Sequence, residues 1–185
     1  MTRMNTNTGG TDNTKDAGSK RGSSMAGDKN NTNMDETGEA VRQLNSFLRG
    51  EISAAETYRM AIDKAGDSAN HAANVGLLRE IQEEHGRAAQ AIRDRIRELG
   101  GEPSDSSGAW GAWAQLVAGA ASLFGGDAGS LKALKEGEEH GLKDFKEGVD
   151  DIDATSAELV QNQLIPAQQR HINLLDQLIA SVGKA

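Results

Sequence analysis

Apolar residues recur at helical spacing in four stretches after about residue 37. The first carries Leu44, Leu48, Ala55 and Ile62, with Glu51 and Tyr58 filling the intermediate steps. The second carries Leu78, Ala89, Ile92, Ile96 and Leu99, with Gln82 and His85 in the gap, and Gly100-Gly101 followed by Pro103 stops it. The third carries Leu131, Leu134, Leu142, Phe145, Val149 and Ile152 around Glu138, and Asp150, Asp151 and Asp153 close it. The fourth carries Leu164, Leu175, Leu178 and Val182, with Gln168 and His171 in its gap. Thr155 with Glu158 three residues on reads as its capping box. Pro166 lacks the N–H that would bond the carbonyl of Asn162, which predicts a kink there.

The links between the first two and the last two helices are short, so each pair is expected to form an antiparallel hairpin. A long crossover, residues 100–130, joins the hairpins. Within it Trp110, Trp113, Val117, Ala120 and Phe124 recur at helical spacing and predict a short amphipathic helix lying on the bundle. The expectation is an all-α, antiparallel four-helix bundle over 37–185.

The polar residues on the apolar stripes repeat between the hairpins. Glu51 follows Gly50, and an aromatic, Tyr58, comes seven residues later. Glu138 follows Gly137, and Phe145 comes seven residues later. Gln82-x-x-His85 is echoed by Gln168-x-x-His171. Glu51 and His85 are equally far from the first turn, near residue 68, and Glu138 and His171 nearly so from the second, near residue 154. At about 1.5 Å of rise per residue, all four fall within roughly one turn of a common layer. Two glutamates, two histidines and two glutamines are thus expected in one plane of the core.

This pattern resembles the ferritin-like superfamily, including rubrerythrins and manganese catalases. There, one pair of helices gives a Glu each and the other gives Glu-x-x-His each. The stretches LNSFLRGEISAAETY, LGGEP, SGAWGAW and LKEGEEHGLKDF are similar to an uncharacterised bacterial family of ferritin-like domains. The resemblance spans roughly residues 40–182. It implies a divalent metal (iron, manganese or zinc) held by Glu51, His85, Glu138 and His171, with Tyr58 beside it, and a link to stress or metal handling. The chain departs from the pattern at Gln82 and Gln168, which stand where the family has Glu. A dinuclear centre balances its charge with four carboxylates, and this layer supplies two, so redox chemistry at a metal pair is disfavoured and no reaction is assigned. One ion with about four ligands suits the set better, with Gln82 and Gln168 as weak ligands or in support. The other reading is a metal-free interaction module. In it Glu51 pairs with His85, Glu138 pairs with His171, and the glutamines satisfy the rest.

Neighbouring residues are read as structural. Glu84, Glu139 and Glu56 point about 100° away from the seam and are expected at the surface. His140 and Glu136 belong to the charged face of the third helix. Gly137, Gly141 and Gly148 beside the seam suggest close helix approach or room for a ligand. Trp110 and Trp113 anchor the crossover or form a contact between copies, and a homo-oligomer is expected.

Composition changes the picture at the N-terminus. Residues 1–36 contain no Leu, Ile, Val or aromatic residue, so they cannot bury enough surface to offset their ordering entropy and are expected to be a disordered polar tail. The tail is charge-neutral, which leaves the whole net charge of −8 on the bundle. An acidic bundle disfavours nucleic acid. No apolar run is long enough to span a membrane. The chain has no cysteine, which removes thiolate chemistry, and a cytoplasmic location is expected.

Overall fold

The computed structural model describes residues 26–65, 72–108 and 128–182, with side chains for 36–64, 74–108 and 128–182. Helix α1 is Ala26–Ala65, α2 is Ala72–Glu98 and α3 is Gly129–Gly148. A 3₁₀ turn, Val149–Asp151, leads to α4, which spans 154–182 in three pieces. These are an α-helical Ala154–Leu159, a π-helical turn Val160–Leu164 and an α-helical Ile165–Val182. The protein is an all-α four-helix bundle, as its periodicity predicts.

Helix α1 packs chiefly on α2, and α3 on α4, which makes two hairpins; α1 also touches α3, and α2 touches α4. Two apolar clusters fix the direction of each helix. One joins Leu44, Phe47 and Leu48 to Ile92 and Ile96, then to Phe145, Val160 and Leu164. The other joins Tyr58 and Ala61 to Leu78 and Ile81, then to Leu131, Leu134, Leu175 and Leu178. Early α1 therefore meets late α2, and early α3 meets late α4, the antiparallel sense in both hairpins. The polar layer lies between the clusters.

The helix ends follow local chemistry. Gly100 takes φ 76° and donates to the carbonyl of Arg97, while Gly101 donates to Ile96, which is the predicted glycine stop of α2. The cap of α4 differs from expectation. Asp153, not Thr155, is the N-cap, and its carboxylate accepts from the backbone N–H groups of Thr155 and Ser156. Arg95 reaches across from α2 to the same carboxylate at 2.8 Å, which favours Asp153 over a neutral hydroxyl. The irregularity expected at Pro166 takes the form of the π turn. Ile165 donates to Val160, five residues back, immediately before the residue that has no N–H to give.

α1 begins at Ala26, so the boundary expected between the tail and the bundle at 36/37 falls inside a helix. Helix growth is cooperative, and a well-packed α1 extends into polar sequence that would not nucleate alone. Residues 1–25, and the crossover stripe from Trp110 to Phe124, lie outside the described residues. The first part of the crossover runs back along α1. The Asn45 side-chain amide donates to the Glu102 carbonyl (3.0 Å) and its oxygen accepts from the Ser104 N–H (2.7 Å), while Ser107 donates to Glu56 (2.9 Å).

Candidate metal centre

Each helix contributes to the layer: Glu51 from α1, His85 from α2, Glu138 from α3, and Gln168 and His171 from α4. All five are at least 95% buried. They sit on stripes whose remaining positions are mostly buried apolar residues, so the same periodicity that packs the core points them inward.

Glu138 is the hub. Its Oε1 accepts from the Tyr58 hydroxyl (2.5 Å) and lies 3.0 Å from His85 Nε2. Its Oε2 accepts from the Gln168 amide (2.6 Å) and lies 3.3 Å from His171 Nδ1. The Gln168 amide also donates to the Glu138 carbonyl at 3.0 Å. His85 Nδ1 is 2.7 Å from Glu51 Oε2. Each histidine thus turns its Nδ1 to the glutamate of its own hairpin, and the repeat seen in sequence survives in space. The imidazoles meet edge to face, centroids 4.8 Å apart, and Tyr58 stacks on His85 at 5.5 Å.

The electrostatics follow from this geometry. Burial alone would depress the basicity of His85, but the charges of Glu138 and then Glu51 outweigh it and raise its pKa to about 10. Burial works against the Glu138 carboxylate as well, yet His85, supported by His171, holds it down at about 2. Tyr58 is pushed well above the ordinary phenol value by burial and by the Glu138 charge, so it stays a hydrogen-bond donor. Among the described residues, every buried side-chain nitrogen and oxygen has a partner.

Two sequence expectations are corrected. Gln82 is half-buried and outside the bonded layer, while its neighbour Ile81 is fully buried. The steps 78–82–85 and 78–81–85 are both helical, and packing chose the one that buries isoleucine. Glu84, expected at the surface, joins the network: its Oε2 is 3.0 Å from His171 Nε2 and accepts from Arg170 at 2.9 Å. It lies on the side of α2 that faces α4, which a seam drawn on α2 alone does not show. By contrast, His140 and Glu139 are exposed, as expected. Gly141 makes room for the layer, since a Cβ there would sit 2.9 Å from the Gln168 amide nitrogen.

The donors suit a divalent ion. Ligand atoms of His85, Glu138 and His171 all lie within 4.8 Å of one another. Around zinc, bonds of about 2.0–2.2 Å put neighbouring tetrahedral ligand atoms about 3.4 Å apart, so the set needs to contract by about 1.4 Å at most. Imidazole and carboxylate together serve zinc, iron and manganese.

A buried Glu/His/Gln layer clamped between two apolar clusters defines this protein as a four-helix bundle with a candidate metal centre. The chain belongs to the family described as Domain of unknown function (DUF2383), which residues 39–151 match. That match includes Glu51, His85 and Glu138. No curated protein and no solved structure matches the chain.

Proposed function

We propose that this is a ferritin-like protein that binds one divalent metal ion in the Glu/His layer. The convergence of His85, Glu138 and His171 from three helices within 4.8 Å carries this reading. Glu51 lies outside that group of three and holds the His85 ring through Nδ1 at 2.7 Å, while Gln168 and Tyr58 support the set by holding Glu138. The protein's residues bind and desolvate the ion, and burial of the layer keeps bulk water from it. His85 gives up a proton as the ion binds, so affinity falls as pH falls. The setting is cytoplasmic metal handling or stress protection, in a homo-oligomer.

Elemental analysis of protein purified without chelator or affinity metal tests the reading, together with Co(II) titration followed by visible absorption. One ion per chain is expected, lost in the His85→Ala, His171→Ala double variant. Background metal content and no Co(II) spectrum, or binding unchanged by that double substitution, would falsify it.

The second reading is a metal-free helical module. It is favoured by the complete partnering of the buried polar atoms among the described residues and by the two carboxylates flanking His85. Gln168→Glu separates the two readings. It removes two hydrogen bonds to Glu138 and places a second acid beside that carboxylate. In a closed network it only destabilises the fold, by about 3–5 kcal/mol. In a metal centre it also raises iron or manganese binding, because it restores a missing carboxylate.

A further inference from the structure

The two histidines of the layer are not equivalent. Both ring nitrogens of His85 face buried carboxylates, Glu51 and Glu138. His171 has one nitrogen inside and one outside. Its Nδ1 faces Glu138, and its Nε2 faces Glu84, which is 23% exposed. Glu84 is itself held by Arg170, the residue beside His171 on α4, at 2.9 Å. A short path, Arg170 to Glu84 to His171, therefore runs from the α2–α4 groove to the buried layer. Glu80, Glu84, Arg170 and His171 line this groove.

An imidazole binds a metal through one nitrogen's lone pair, and the hydrogen bond at the other nitrogen decides which one is free. A carboxylate on the outer nitrogen fixes the N–H there, orients the ring and makes the inner nitrogen a better donor. Here the outer acceptor is a carboxylate fixed in place by Arg170, which donates to it at 2.9 Å. The His171 ring has little freedom to turn away, since it is 97% buried and packed on His85.

We propose that Glu84 is a positioning residue, anchored by Arg170, which accepts the His171 Nε2–H and so presents Nδ1 of His171 to the ion beside Glu138. This rests on the metal-binding reading above. It adds to that reading a brace at the α2–α4 seam that lies outside the Glu-x-x-His pattern and takes no direct bond to the ion.

The test uses the full chain with Co(II) and Zn(II) as probes. Glu84→Ala is expected to weaken Co(II) binding about 10–100-fold, while the positions of the visible bands stay those of the wild type. Glu84→Gln, whose amide oxygen still accepts, is expected to recover most of the loss, and Arg170→Ala to show a smaller loss. In the Zn(II)-loaded wild type the His171 Nε2 proton is expected as a slowly exchanging downfield resonance that disappears in Glu84→Ala. Wild-type affinity in Glu84→Ala, or that resonance unchanged, overturns the brace while leaving the metal site standing. New visible bands in Glu84→Ala overturn it as well, because Glu84 would then be a ligand. If wild-type protein binds neither probe, the metal-binding reading has failed and the brace fails with it.

Discussion

Glu138 shows how one residue sets the character of the layer. It takes hydrogen bonds from a phenol and an amide, and both imidazoles face its oxygens. Its charge, together with that of Glu51, keeps His85 protonated when burial alone would strip it. The pH dependence of stability follows. His85, raised from 6.5 to about 10, adds stability that is fully present below 6.5 and lost as pH rises through about 10. Glu138, lowered from 4.5 to about 2, adds stability present above 4.5 and lost as pH falls through about 2. Metal-free protein should therefore be most stable between 4.5 and 6.5 and weaken on both sides. Urea unfolding across a pH series checks this, and His85→Gln should flatten the alkaline arm. An alkaline arm as steep in His85→Gln as in the wild type would show that the layer is not its source.

At the scale of helices, glycine positions divide by what surrounds them. At the end of α3 a Cβ on Gly148 would meet the Gln43 amide and come 2.9 Å from the Phe47 ring, so the backbone of α3 presses close to α1 there. A Cβ on Gly86, exposed on α2, would meet nothing within 4 Å. Gly148→Ala should cost about 1–3 kcal/mol through overpacking. Gly86→Ala should instead stabilise by about 0.5–1 kcal/mol through helix propensity. Chemical denaturation of the two variants side by side decides it, and equal effects would remove the close-approach argument. The same scale separates what a single helix reveals from what it hides. Glu51, Glu138 and His171 were legible because each has one position available on its stripe. Gln82 was misplaced because its helix offers two acceptable stripes, and Glu84 was missed because its partner, His171, lies 87 residues away.

For the whole molecule, the polar layer is held by apolar packing at both ends. Leu44 and Leu78 are both fully buried but belong to different clusters. Leu44→Ala and Leu78→Ala should each cost about 2–5 kcal/mol. Their effects should add within about 0.5 kcal/mol, because the two sites share no neighbours. A large coupling energy in the double variant would mean that the layer transmits strain between the clusters. Zinc loading should raise the unfolding temperature of the wild type with increasing free metal, and should leave the His85→Ala, His171→Ala variant unchanged.

The number of helices, their pairing into two hairpins and the depth of the polar layer are all written in the amino-acid order. Those properties depend on helical period, glycine and acidic stop signals, and counts of residues, all of which are local or additive along the chain. Tertiary packing alone sets which nitrogen faces which carboxylate, that Ile81 displaces Gln82 from the core, and that Glu84, held by Arg170, reaches His171 across the α2–α4 groove. These outcomes depend on how α2 and α4 turn their sides toward one another. That rotation is set by the packing of all four helices at once, and no single stretch of sequence contains it.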